Sequence, residues 1–256
     1  QVRRKLEDYY EMTLRCGKCG FCRSVLPLDI QHERFAYQCP SGEEFKFEAY
    51  YASGRMEIAR GLIEGLLSWD SERLQHILFT CTTCGACEEW CEDINRCYPL
   101  KVIEEMRIRY VELRGPIPAH KRFADSIETH HNAYMEPHEH RFDWMPKDIK
   151  PPAKADIIYY VGCTSSYRQK EIAVATVRVL DKLGIKFGVL WDKEWCCGSP
   201  AFRTGQIEVA KKTMMHNLEA LKEAGAKTVL FTCPGCYRAF KDVSAYGLPE
   251  PDFELL

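Results

Sequence analysis

Apolar residues recur along this chain with two different rhythms. In the first part they repeat at helical spacing between cysteine-bearing loops. Residues 55–67 (RMEIARGLIEGLL) predict a short amphipathic helix, and residues 71–79 predict another. Residues 99–113 set Leu100, Ile103, Met106, Tyr110 and Leu113 on one helical face. No strand is predicted before residue 115. Residues 115–155 change character: Pro116, Pro118, Pro137, Pro146, Pro151 and Pro152 fall here with five of the eight histidines, which predicts an extended connector. From Asp156 the pattern alternates between strand and helix. Strands are expected at 157–161, 185–191 and 228–232. The first intervening helix turns Ile172, Ala175, Thr176, Val179, Leu180 and Leu183 inward and stops at Gly184. The second turns Ile207, Ala210, Met214, Leu218 and Leu221 inward and stops near Gly225, and a last helix follows Pro234. Such alternation predicts a parallel sheet whose site lies beyond the carboxyl ends of its strands.

Length and composition sharpen this picture. At about 150 residues per domain, 256 residues suggest two domains. The expected division is 1–114, a connector over 115–155, and 156–256. Hydrophobic residues at 46% and charged residues at 28% exclude general disorder, and a net charge of −2 argues against a nucleic-acid binder working by bulk positive charge. No apolar run reaches the roughly 20 residues of a membrane span, and the first residues lack a signal peptide's apolar stretch. The sequence does not begin with Met.

The fourteen cysteines are the chemically decisive feature. They are clustered rather than spread, and nothing marks the chain as secreted. Metal ligation is therefore favoured over a disulfide framework. Cys81, Cys84, Cys87 and Cys91 follow the C-x2-C-x2-C-x3-C spacing of [4Fe–4S] ferredoxins, in which the fourth cysteine ligates the other cluster. Cys16, Cys19 and Cys22 repeat the first three positions. The fourth position holds Leu26 before Pro27, while a Cys-Pro pair stands at Cys39-Pro40, as if an insertion had moved the ligand. Crossed ligation gives one cubane cluster Cys16, Cys19, Cys22 and Cys91, and the other Cys39, Cys81, Cys84 and Cys87. Structural zinc more often takes two separated CxxC pairs. Cys97 is left over and reads as a small buried residue.

The second half carries Cys163, the Cys196-Cys197-Gly198 run, and Cys233-Pro-Gly-Cys236. Five thiolates exceed one cubane, and the side chains of adjacent cysteines diverge. Either an irregular iron–sulfur centre, or four ligands and a free thiol, satisfies the residues alone.

The spacing Cx32CCGx34Cx2C resembles the cysteine-rich CCG domain of heterodisulfide reductases and their relatives. The whole chain resembles the fused layout of that family. Supporting residues are Cys39-Pro40, SGRMEIARG at 53–61, PLKVIEEMR at 99–107, and Asn132, Pro137, Arg141 and Trp144. The resemblance implies an α+β chain: an all-helical, ferredoxin-like twin-cluster domain, then an α/β CCG domain with a small parallel sheet. It further implies that Cys163, Cys196, Cys197, Cys233 and Cys236 hold a noncubane [4Fe–4S] cluster, which is the catalytic site if the reaction occurs there. The family also includes iron–sulfur subunits of glycerol-3-phosphate, glycolate and lactate dehydrogenases and of membrane-bound sulfate-reducer complexes. Two departures stand out. This sequence has one CCG motif where the family layout usually has two, and PDFELL falls where another strand should begin. Glu92 also replaces the proline that usually follows the last ferredoxin cysteine.

The expectation is an electron-transfer subunit that relays electrons through two cubane clusters to the CCG cluster. The flavoprotein or cytochrome subunits of the same complex are the expected partners, with no nucleic acid. The expected location is cytoplasmic, peripheral to the membrane's inner face through a partner. The alternatives are a catalytic subunit that itself reduces a disulfide, and an iron–sulfur subunit of a flavin-linked dehydrogenase. His130, His131, His138 and His140 match no zinc spacing and are expected to be solvated or hydrogen-bonded. Lys18, Arg23, Arg168, Arg203 and Arg238 are the candidates for offsetting cluster charge. No GxGxxG or phosphate-cradling loop is present.

Overall fold

The computed structural model describes residues 3–24 and 36–256. Leu26 and Pro27 lie outside the described residues. The chain divides into two compact units: Arg4–Pro116 with the short segment Arg203–Gly205, and Ile117–Phe202 with Gln206–Leu256.

The first unit is built from helices α1 (Tyr10–Leu14), α2 (Pro40–Phe45), α3 (Ala52–Ile63), α4 (Glu72–Phe79), α5 (Ala86–Asn95) and α6 (Pro99–Arg114). Pro40 and Pro99 open α2 and α6, where the missing N–H costs no helical bond. Met56, Ala59 and Leu62 of α3 meet Leu74 and Leu78 of α4 and Val102, Ile103, Met106 and Tyr110 of α6 in one core. Two expectations need correction. Gly65, at φ +72°, lies beyond the end of α3, and Leu66 is 76% exposed rather than continuing the apolar face. Leu113, in the last turn of α6, is exposed, whereas Leu100, Ile103, Met106 and Tyr110 are buried as expected.

In the second unit the order is α7 (Pro118–His130), β1 (Ile157–Tyr160), α8 (Gly162–Tyr167), α9 (Lys170–Lys182), α10 (Ser199–Arg203), α11 (Ile207–Glu223), β2 (Thr228–Phe231), α12 (Pro234–Lys241) and β3 (Glu254–Leu255). The sheet is parallel in the order β1-β2-β3, with Ile157 opposite Thr228, Tyr160 opposite Phe231 and Thr228 opposite Glu254. β3 falls in PDFELL.

Residues 185–191, expected as a full strand, make a single parallel bridge, Ile158 to Gly188. Gly188 exchanges backbone bonds with Ile157 and Tyr159, and then Val189 N–H turns to Pro152 O at 3.1 Å, so the ladder ends. The proline-rich stretch does not run extended throughout. Pro118 takes the first position of a 13-residue helix, and the Asn132 side chain closes the following turn through His130 O, Glu136 O and the Tyr134 N–H. Trp144 and Ile149 then enter the core with Tyr159, Val161, Phe187 and Val189.

The buried face of α9 is also rotated from the expected one. Ala173, Val177 and Leu180 are buried, while Ile172, Val179 and Leu183 are exposed. Apolar residues surround this helix, so both stripes satisfy i, i+3/i+4 spacing and only packing selects one.

Candidate metal centres

In the first unit, helix geometry turns cysteine spacing into two sulfur-lined voids. Cys81 and Cys84 lie in a non-helical loop, and Gly85, at φ +84°, caps α5. Cys87 and Cys91 stand one helical turn apart on α5. One void is lined by Cys22, Cys39, Cys81, Cys84 and Cys87. The other is lined by Cys16, Cys19, Cys22, Cys91 and Cys97. Cys39 thus joins the second cysteine triplet and Cys91 joins the first, while Cys22 borders both. Cys97 is buried and its thiol donates to Met12 O at 3.5 Å.

Backbone donors approach these sulfurs: Gly42 N–H donates to Cys39 Sγ and Thr83 N–H to Cys81 Sγ, each at 3.4 Å. Burial, with neighbouring sulfurs, raises Cys87 strongly and pushes Cys91 up to about 12. Crowded thiols in an apolar pocket resist becoming thiolates unless a cation arrives with the charge to pair them.

In the second unit, Cys163 lies in α8 just after β1, Cys196 and Cys197 precede α10, and Cys233 caps α12 with Cys236 in its first turn. The sheet brings these loops together. The five thiols shift one another's acidity in succession: Cys163 with Cys196, Cys196 with Cys197, Cys197 with Cys236, and Cys236 with Cys233. The adjacent cysteines do not diverge as expected: the Cys196 and Cys197 thiols interact with each other, Cys196 also with Cys163 and Cys197 also with Cys236. A thiol hydrogen bond from Cys236 sets Cys233 at about 6 against its burial, with help from the Cys236 and Gly235 N–H groups. Cys197 is lowered by bonds from Cys196 and Cys236, and Cys236 is raised by its bonds to Cys197 and Cys233.

Close backbone approach shapes the same site. Gly162, at φ +76°, lies so near Cys236 that a Cβ there would stand 3.0 Å from its Sγ. The glycine of the CCG run, Gly198, is at φ +79°, and a Cβ there would meet Ala210 O at 2.9 Å.

Behind Cys163 lies a buried ion pair that spacing could not reveal. Arg141 is 1% exposed and Glu194 is 0% exposed. Arg141 Nη2 donates to Glu194 Oε1 at 2.7 Å, and both Nη atoms lie 3.8 Å from Cys163 Sγ. Glu194 also accepts from Val161 N–H and Gly162 N–H, each at 2.9 Å. The pair is separated by 53 positions in sequence, which leaves no local signal for it.

Of the cations expected to offset cluster charge, Lys18 lines the void of the first cysteine triplet and pairs with Glu57, while Arg23 pairs with Glu48 and Arg168 with Glu136. Arg203 donates to Thr82 O at 2.7 Å and Thr83 O at 2.8 Å, carbonyls of the Cys81–Cys84 loop.

Among the described residues no three His, Cys, Asp or Glu side chains gather as a single-ion site requires. His138 Nε2 bonds Asp192 O at 2.6 Å and His140 Nδ1 bonds Asp143 at 2.7 Å. His131 is different: it stacks on Trp195 with ring centroids 3.7 Å apart, and His216 stacks on the opposite face at 3.6 Å. Burial, together with His138, lowers His131 to about 4. Its carbonyl accepts from Cys196 N–H at 2.8 Å, so this stack braces the CCG loop.

Comparison with known proteins agrees with these sulfur sets. A family model described as a 4Fe-4S dicluster domain matches residues 12–93, and one described as a cysteine-rich domain, CCG, matches residues 157–241. The chain carries a 4Fe-4S dicluster domain and a cysteine-rich CCG domain. It is 46% identical over 166 residues to a subunit of the dihydromethanophenazine:CoB–CoM heterodisulfide reductase of Methanosarcina barkeri, covering 63% of this chain and 40% of that protein. The Methanosarcina acetivorans protein of the same description is 45% identical over 237 residues, 88% of this chain and 56% of that protein. A subunit of the fumarate reductase (CoM/CoB) of Methanothermobacter marburgensis is 30% identical over 252 residues, 95% of this chain and 47% of that protein. The chain therefore spans about half the length of the curated relatives it matches. No solved structure matches it.

Iron–sulfur clusters are the cofactors to which both domains point, and the residues present fit them. The donors are thiols, they line two voids in the first unit, and N–H groups are aimed at the Cys39 and Cys81 sulfurs.

Proposed function

We propose that the chain is an iron–sulfur electron-transfer subunit of a heterodisulfide-reductase-type oxidoreductase. The observation that carries this reading is the grouping of its thiols: two sets around voids in the helical unit and a five-thiol chain at the sheet's carboxyl end. Cys16, Cys19, Cys22 and Cys91 would hold one cubane cluster, and Cys39, Cys81, Cys84 and Cys87 the other. Cys163, Cys196, Cys197, Cys233 and Cys236 would hold the noncubane cluster. When bound, such clusters supply one-electron transfer.

The chain's own residues prepare for that chemistry. Cys22, next to both voids, keeps the two cubane sites adjacent. N–H donors to Cys39 and Cys81 stabilise thiolate charge. Gly162 and Gly198 let the backbone approach the CCG sulfurs. Flavoprotein or cytochrome subunits would deliver or remove the electrons. No helix among the described residues is long and apolar enough to cross a membrane, so membrane association would come through such a partner.

The test is anaerobic iron and acid-labile sulfide analysis of the purified chain. Three four-iron clusters give about twelve of each per chain. Zinc without sulfide overturns the proposal.

A further inference from the structure

We propose that Arg141 is a positioning residue of the CCG site: Glu194 holds its guanidinium so that its N–H face and positive charge meet the Cys163 sulfur. This deepens the reading of the five thiols as an iron–sulfur site and rests on it.

Both Nη atoms of Arg141 lie 3.8 Å from Cys163 Sγ, within hydrogen-bond reach for sulfur. Arg141 has five N–H donors, and its other contacts fix their direction. Nε and Nη2 donate to Glu194 Oε1, at 3.2 and 2.7 Å, and Nη2 also reaches Trp195 O at 3.3 Å. Nη1 reaches His131 O at 3.5 Å. The anchor is itself fixed, because Glu194 Oε1 accepts Gly162 N–H and Oε2 accepts Val161 N–H. One ion pair thereby ties the backbone just before Cys163 to the residue two positions before Cys196.

The same Nη2 donates to Glu194 Oε1 and reaches Cys163 Sγ, so the guanidinium lies between the carboxylate and the sulfur it serves. A buried ion pair used only as a staple needs no contact with sulfur. In a dry site, a fixed cation beside a ligand thiolate favours the more negative, reduced state of the centre, and an anion opposes it. The two members of the pair should therefore act with opposite signs.

The test is an anaerobic, EPR-monitored redox titration of the cluster-loaded full chain, comparing wild type with Arg141→Gln, Arg141→Lys, Glu194→Gln and the double Arg141→Gln/Glu194→Gln variant. Arg141→Gln should disfavour reduction of the CCG centre at least tenfold, a fall of about 59 mV for one electron. Glu194→Gln should move it the other way. Arg141→Lys should stay nearer wild type than Arg141→Gln, and the two cubane signals should not move. If Arg141→Gln fails to fold because Glu194 is left unpaired, the test rests on Glu194→Gln and Arg141→Lys. A rise in the first, with the second no higher than wild type, supports the proposal. Single variants that shift in the same direction, or not at all, while the CCG signal persists would overturn this proposal alone. A wild-type chain with both cubane signals and no third centre would overturn the cluster reading, and this one with it.

Discussion

Single residues decide whether the sulfurs can meet. The cysteines are visible as a pattern, but the residues that let them converge are not all cysteines. Gly162 must adopt φ +76° beside Cys236, and any Cβ there crowds the sulfur. Gly162→Val should therefore lose the CCG centre while leaving the cubane signals, as read by EPR and by iron content falling by about a third. Cys197→Ser provides the cleaner comparison. It removes one donor from the middle of the thiol chain with little change of volume, and should abolish only the third EPR signal; an unchanged spectrum would exclude Cys197 as a ligand. Arg141 and Glu194 belong to the same scale. Removing one member of a fully buried pair typically costs about 3–5 kcal/mol, so Arg141→Met should destabilise the metal-free protein by that order in a denaturant titration.

At the scale of the element, spacing becomes position. Three residues between Cys87 and Cys91 place them a turn apart on α5, so Cys87 borders one void and Cys91 the other. Pro40, Pro99, Pro118 and Pro234 each open a helix, a placement readable from sequence for α6 and α12 but hidden for α7, where proline density suggests an extended chain. The apolar stripe of α9 is ambiguous for a related reason: valines and alanines on several faces give local spacing no unique solution. The burial of Val177 and the exposure of Val179 can be checked directly. Val177→Ala should cost about 2 kcal/mol in chemical denaturation, whereas Val179→Ala should stay within about 0.5 kcal/mol.

Across the molecule, each unit has its own apolar core and its own cysteine groups, and no disulfide joins any of the fourteen cysteines. Turning so many closely grouped thiols into thiolates is unfavourable until metal supplies the opposing charge. Anaerobic stripping of the loaded chain with a chelator should therefore lower its melting temperature by more than about 5 °C. Equal melting of the loaded and stripped forms would show that the sulfur sites are not coupled to folding.

The sequence by itself determined the chemistry and the class of fold. Cysteine spacing along a chain is a local quantity, as are helical and strand periodicity, and both survive without knowledge of distant contacts. Thus the ferredoxin-type runs, the CCG spacing and the change from helices to alternating strands were all legible. Only the tertiary structure decided which sulfurs share a void, why residues 185–191 stop after one bridge, which face of α9 is buried, and that a charged pair from positions 141 and 194 supports Cys163. Those outcomes depend on which distant segments compete for the same hydrogen bonds and the same dry space, and a linear pattern does not encode that competition.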